Sequence, residues 1–463
     1  MTTHHVIIGG GPVATSALET IREFDNGDSQ ITLLCEEPAH SRMALPYWLC
    51  GKVPREHTYT ADDAYYQKLN VEARIGTRAV SIDPDAKSVK LSDGSELSFD
   101  NLLIATGASP VKIDIPGIDL PGVQSLWTLA DTQSLLDATD DKQQPRVAMI
   151  GAGFIGFIML NAMFKRGWQL TVIEREPHVL PRMLDTDAAA MVESWLASKG
   201  VGVQTGASVQ AITEADDGSK TIELADGKKL SADVVVVATG IRQNLDLVPS
   251  SGIETGEGIL VNDRMQTNFP FIYAGGDVAQ GPSLYGGQEI HAIQPTAVDH
   301  GRVAGANMAG QEVHYPGSLS MNILDVCGLQ NASFGNWGDP NAEAITISSP
   351  DGHVYRRLLW SGDEITGAIF VGRANDVGML TDVGMVKGIM QTRTKLGRWK
   401  EFLAENPFDI RRPYIAANVA QKLVRTTLLG RPARSRGYHF GKATPSMTVS
   451  AAHGVFVGTK PQD

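Results

Sequence analysis

Two glycine-rich turns each follow an apolar run and open a segment with helical periodicity. Gly9-Gly10-Gly11-Pro12-Val13-Ala14 follows Val6-Ile7-Ile8, and Gly151-Ala152-Gly153-Phe154-Ile155-Gly156 follows Val147-Ala148-Met149-Ile150. Each is followed in turn by a second apolar run that ends in acid: Ile31 to Leu34 before Glu36-Glu37, and Leu170 to Ile173 before Glu174. In such a unit the first glycine permits the tight turn and the second lets the backbone approach a pyrophosphate. The third small residue, Ala14 or Gly156, lets the helix pack on the strand, so that phosphate meets free N–H groups at the positive helix end. The acid, roughly 20 residues on, accepts from a ribose hydroxyl. One such turn alone is a weak signal. Two, each with strand, helix and acid in place, imply two bound dinucleotides and electron transfer between them.

The duplication runs past the turns. Asn101-Leu102-Leu103-Ile104 closes in Ala105-Thr106-Gly107, and Val234 to Val237 closes in Ala238-Thr239-Gly240. These ends lie 133 residues apart, as do the hairpin signals Asp93-Gly94 and Asp226-Gly227; a further hairpin signal lies at Asp217-Gly218. Ile115-Pro116-Gly117 and Gln143-Gln144-Pro145 punctuate a linker between the halves. A short apolar strand then ends in Gly275-Gly276-Asp277, a helix-like run covers Thr296 to Met308, and strand-like pieces begin near Ser318. The fold class is α/β, with two Rossmann-like dinucleotide-binding domains and a C-terminal α+β domain. The boundaries fall at 1–113 and 245–317 for the two parts of the first domain, 114–244 for the second, 318–404 for the C-terminal domain and 405–463 for an extension.

Length alone, 463 residues, suggests about three domains. No apolar run reaches the roughly 18 residues of a membrane span. Met1 to His5 lacks the basic and long apolar parts of a signal peptide. Cys35, Cys50 and Cys327 are too widely spaced for a disulfide framework or metal cluster, so a reduced, cytoplasmic protein with no metal is expected. The net charge is -12, yet residues 405–463 carry nine Lys/Arg against three Asp/Glu. Without a nucleic-acid motif, that basic stretch points to self-packing or to a partner subunit.

Together these motifs resemble the two-dinucleotide-domain flavoproteins of the glutathione-reductase-like superfamily, over roughly residues 5–400. Ser41-Arg42-Met43-Ala44-Leu45-Pro46-Tyr47 is similar to the active-site segment of the CoA-disulfide reductase and NADH oxidase branch. Asn322 to Gly372 is similar to the last domain of NADH oxidase-like proteins and nitrite reductase large subunits. The resemblance implies FAD on Gly9, Gly11, Pro12 and Ala14, with Ala105, Thr106 and Gly107 beside it. Gly276 and Asp277 would complete the site, and the helix start Pro295-Thr296-Ala297 would face the flavin pyrimidine edge, where a positive helix end suits an anionic reduced ring. Glu36 or Glu37, with Glu37 favoured, would take the FAD ribose. NAD(H) would bind Gly151, Gly153, Phe154, Ile155, Gly156 and Gly240, with Glu174 selecting NADH over NADPH; the neighbouring Arg175 argues the other way.

Three residues depart from the pattern. Met43 stands where that branch carries its redox cysteine, and a thioether forms neither thiolate nor mixed disulfide. Cys50, seven residues on along a helix, is read as a buried small hydrophobe too far from the ring. Ile158 replaces a glutamate that orients nicotinamide, and Tyr47 stands near the place of a lysine beside the flavin. Met43 and Tyr47 are therefore expected near the flavin, without an assigned catalytic role. The leading expectation is an FAD-dependent oxidoreductase carrying electrons between NADH and an iron–sulfur or rubredoxin-like protein, a quinone or oxygen. A second is the FAD-containing subunit of a multicomponent dehydrogenase acting on an organic substrate. CoA-disulfide reduction is disfavoured, and a flavin- or NAD-binding sensor lacks an effector domain. A protein electron-transfer partner and a homodimer or hetero-oligomer are expected.

Overall fold

The computed structural model describes residues 2–425 and 428–429. Two five-stranded parallel sheets carry the two glycine turns. The first has the strand order Ile272–Ala274, Asn101–Ile104, His4–Ile8, Gln30–Cys35, Glu72–Ile75; the second has Gly202–Gln204, Gln169–Ile173, Arg146–Ile150, Val234–Val237, Val123–Ser125. Four strands correspond between the sheets, and the 133-residue offset survives between Asn101–Ile104 and Val234–Val237. The fifth does not correspond. The first sheet takes its outer strand from beyond the second domain, whereas the second takes Val123–Ser125 from the segment before its own glycine turn. The chain thus leaves the first domain, builds the second and returns. Ala108–Pro110 and Ile241–Gln243, the outgoing and returning segments, pair antiparallel.

The central strands are apolar throughout, as parallel strands covered on both faces must be. Val6, Ile7, Leu33, Leu34 and Leu102 to Ile104 are buried in one core, and Val147, Met149, Val172, Val234 and Val236 in another. The hairpin signals fold into small antiparallel sheets, with turns between Ser88–Leu91 and Glu96–Ser98 and between Lys220–Leu224 and Lys229–Ala232.

The helix predicted from Thr296 is Gln294–Met308. It lies unusually close to Pro12–Asp25 because Gly301 and Gly305 face that helix. A Cβ at Gly301 would overlap the Val13 carbonyl, and one at Gly305 would meet Ala17 Cα at 2.9 Å. This contact aims the N-terminus of the later helix at the first glycine turn.

The C-terminal domain is a five-stranded antiparallel sheet, Met321–Val326, Leu329–Gly335, Glu364–Arg373, Val354–Ser361 and Glu343–Ser349 in spatial order. Leu324, Val326, Leu329, Tyr355, Ile369 and Val371 share a core with the second dinucleotide domain. Asp185 ties the same two domains by accepting from the Tyr355 hydroxyl at 2.6 Å and from Arg357 at 2.9 Å. The expected boundary at 404 needs correction, since it falls inside the helix Trp399–Glu405. Ile410 and Val419, beyond it, are buried in the core of the C-terminal domain. The first part of the basic stretch therefore packs on its own chain. Residues 426–427 and 430–463 lie outside the described residues. No helix among the described residues is long and apolar enough to cross a membrane.

Candidate functional site

A cavity of about 1290 Å³ opens along the carboxyl ends of the first parallel sheet. Its wall includes Gly9, Glu36, Ala105 and Gly275, each just beyond a strand end. That is where open α/β sheets place ligands, and the volume exceeds that of an ordinary small-molecule pocket.

Both glycine turns are built alike. The Gly9 N–H donates to the Leu34 carbonyl and the Gly151 N–H to the Ile173 carbonyl, each at 2.8 Å. Gly9 (φ +110°) and Gly151 (φ +102°) lie in the region favouring glycine. A Cβ there would overlap the carbonyl oxygens of Ala105 and Ala238, the two Ala-Thr-Gly ends. The second glycines behave differently. A Cβ at Gly11 or Gly153 would meet nothing within 4 Å, leaving space that a pyrophosphate can fill.

Of the residues expected around FAD, Gly9, Gly11, Pro12, Glu36, Glu37, Ala105, Thr106, Gly107, Gly276, Asp277, Pro295 and Ala297 line this cavity. Ala14 and Thr296 are buried behind it. Phe154 and Ile155, at the second turn, reach the same cavity, joined by Ile158 and Met159; Gly151, Gly153, Gly156, Glu174 and Gly240 do not line it. Glu174 is buried against its own loop. One carboxylate oxygen accepts from the Ala152 N–H at 2.6 Å and the other from the Glu176 N–H at 2.9 Å. Arg175 is 78% exposed and turns to Glu176 at 3.1 Å.

Just beyond the strand Gln30–Cys35, Glu36 faces Arg78 at 3.3 Å, while Glu37 lies 3.9 Å from His40 Nε2. The His40 ring is buried, with Nδ1 at 2.9 Å from the Pro38 carbonyl; this makes Nδ1 the donor and leaves Nε2 without a hydrogen bond. At the middle of the cavity, burial pushes the Asp277 carboxyl up while Arg42 opposes the shift. The Arg42 guanidinium lies 3.9 Å from Asp277 and stacks over Trp127 at 4.3 Å. Behind them the Gly276 N–H donates to His300 Nδ1 at 3.2 Å. Burial lowers His300 to about 3, so the ring is neutral and free to accept. Sequence reasoning missed Arg42, His40, Trp127 and His300. Arg42 had a signal in its position beside Met43; His300 had none, since it acts only through a backbone N–H.

Met43 lines the cavity and is 45% exposed. Two expectations need correction. Tyr47 is 53% exposed and outside the cavity wall, because the chain turns from Arg42–Ala44 into the helix Leu45–Leu49 and carries it outward. Cys50 follows that five-residue helix, not two turns of one helix from Met43, and is half-buried instead of buried. It too lies outside the wall. Cys35 packs at Gly10, its thiol pushed up to about 11 by burial and Glu37, and burial pushes Cys327 up to about 12.

Residues 3–301 match the pyridine nucleotide-disulphide oxidoreductases. The chain belongs to that family. It is 30% identical to the NADH-dependent phenylglyoxylate dehydrogenase subunit epsilon of Aromatoleum evansii, over 89% of this chain and 96% of that one. An NADH oxidase of Methanocaldococcus jannaschii is 33% identical over 70% of this chain and 74% of its own length. A solved NAD-dependent persulfide reductase from A. fulgidus is 31% identical, with a TM-score of 0.77 over 86% of this chain and 78% of that one. The fold also matches putidaredoxin reductase in its covalent complex with putidaredoxin, at TM-score 0.80 and 23% identity, over 90% and 99% of the two chains. As a member of this family the chain is an FAD-dependent NAD(P)H oxidoreductase, and the open second glycines, the half-buried carboxyl of Asp277 and the strand-end cavity fit those cofactors.

Asp277→Ala is expected to lower FAD affinity. Losing an acceptor that the bound cofactor would bury costs about 1–3 kcal/mol, roughly ten- to a hundredfold. FAD retained per polypeptide measures it; a variant as yellow as the parent, with equal affinity, would remove Asp277 from the site.

Proposed function

We propose that the chain takes hydride from NADH and hands the electrons directly from FAD to a protein acceptor, without a thiol relay. The observation that carries this reading is Met43 in the cavity wall, with Cys50 and Cys327 outside that wall and Cys35, which does line it, packed at the Gly10 turn with a thiol raised by burial. FAD, when bound, accepts the electron pair of a hydride and can release it as single electrons. This chain's residues would do the rest. Gly11 and Gly153 make room for the pyrophosphates, Glu37 holds the FAD ribose, and Glu174 binds the ribose diol of NADH. The start of the helix Gln294–Met308, at Pro295 and Ala297, would turn its positive end to the flavin pyrimidine edge. Phe154, Ile155, Ile158 and Met159 keep water from the face where hydride passes. Ile158 supplies no carboxylate to fix the carboxamide, so nicotinamide is held there by shape.

A second reading makes the chain the FAD-containing subunit of a multicomponent dehydrogenase that oxidises an organic substrate. It is favoured by the match to the epsilon subunit over nearly the whole of both chains. Electrons would then flow from partner subunits through FAD to the nicotinamide nucleotide. Anaerobic titration with NADH, followed by oxygen, a quinone or a one-electron acceptor protein, tests the two together. Bleaching of the flavin with fast reoxidation by the acceptor protein is expected. Rapid NADH oxidation by oxygen, in a chain needing no partner, would overturn the subunit reading.

Alkylation of thiols is expected to leave NADH-to-acceptor turnover intact. Cys35 and Cys327 remain protonated at neutral pH, and Cys50, whose thiol donates to the Tyr47 carbonyl at 3.4 Å, lies away from the cavity wall. Inactivation traced to modified Cys50 would restore a disulfide reductase.

A further inference from the structure

Five carboxylates line the cavity, and four have a close basic neighbour. Glu36 and Asp246 share Arg78, Glu37 faces His40, and Asp277 faces Arg42. Asp299 is the exception. It stands one turn into the helix Gln294–Met308, beyond the N-terminus aimed at the flavin. Among the described residues it makes no direct ion pair. Its charged neighbours are Arg302 on its own helix and Lys387 on the C-terminal helix Val377–Gln391, and the Tyr315 hydroxyl faces it from the segment that follows. Tyr315 in turn joins Ser318 at 2.8 Å, and Ser318 joins Thr296 at 3.2 Å. The cavity is completed here by Met321 and Ile323 of the C-terminal domain.

We propose that Asp299, in the cavity wall without an ion-pair partner among the described residues, binds a proton when the flavin is reduced and releases it when the electrons leave. This rests on the FAD reading. A hydride brings the flavin two electrons and one proton, leaving one added negative charge. A carboxylate sharing the cavity then binds a second proton from solvent, because a like charge favours its neutral form. When two electrons pass outward, both protons are released and the starting charges are restored. Burial already raises Asp299 and lowers Lys387, so the carboxylate is the side of the pair poised to gain a proton.

The test is a spectroelectrochemical titration of the FAD-loaded protein across pH, which counts protons taken up per two electrons. Asp299 contributes only between its value with oxidised flavin and its higher value with reduced flavin. The parent is expected to take up two protons per two electrons in that window and one outside it. D299N is expected to take up one throughout; if it keeps the parental count while holding FAD, the proposal fails. K387Q removes a cation that lowers Asp299 in both states, so its window should move to higher pH. An unmoved window overturns the proposal even where D299N fails to hold FAD. A parent protein that binds no FAD would overturn the FAD reading instead, a distinct result.

Discussion

Replacing Gly9 by alanine is expected to strip the protein of FAD. The position has φ +110°, where an L side chain is strained, and its Cβ would overlap the Ala105 carbonyl. That carbonyl cannot retreat, because the Ala105 N–H is held by Ile8 at 2.8 Å and the strand before it is central to the sheet. The turn must therefore open, at a cost of about 4 kcal/mol or more, a loss reserved for backbone strain and core disruption. That corresponds to roughly a thousandfold in affinity or a large fall in Tm. Gly11→Ala separates the two outcomes. Its Cβ meets no protein atom within 4 Å, so the FAD-free variant should melt with the parent. It should still lose FAD, because the methyl group occupies the space left for the pyrophosphate. The measurements are the flavin-to-protein absorbance ratio and the Tm of both variants. Gly11→Ala retaining FAD at parental affinity would mean that this turn holds no pyrophosphate.

The doubled architecture was legible because each unit is local: strand, turn, helix and strand lie within about 30 residues, and hydrophobic period and glycine spacing report on such pieces. Even the register was readable. Ile8 pairs with Leu34 and Ile150 with Ile173, so Cys35 and Glu174 occupy equivalent positions one residue beyond. What the sequence hid is non-local. The outer strand Ile272–Ala274 joins a sheet begun 268 residues earlier at His4, which no periodicity reports. Gly301 and Gly305 read as flaws in a helix until Val13 and Ala17 are seen against them. Tyr47 was misplaced because a residue's direction depends on how Arg42–Ala44 turns into the next helix, and the entry of Met321 and Ile323 into the cavity wall depends on docking of the C-terminal domain. Arg42 stood in plain view beside Met43, but its partners Trp127 and Asp277 come from distant segments.

Glu174→Ala is expected to weaken NADH binding about tenfold or more and to narrow the preference for NADH over NADPH. Two effects act in one direction. The carboxylate braces the second glycine turn through the Ala152 and Glu176 N–H groups, and its removal leaves two donors to find water in a buried place. Each orphaned donor costs about 1–3 kcal/mol where water cannot replace the acceptor. The same carboxylate is the group proposed to take the ribose diol and to repel a 2′-phosphate. Arg175 does not compensate, since it points to Glu176 at the surface. The bracing role and the recognition role are separable. Loss of bracing alone would raise KM for NADH and NADPH equally, whereas loss of recognition raises it for NADH and spares NADPH. Steady-state constants with both cofactors distinguish these results, and unchanged constants for both would place the nicotinamide nucleotide away from Glu174. The expected outcome is a rise for both, larger for NADH, because Glu174 serves the turn and the ribose with the same two oxygens.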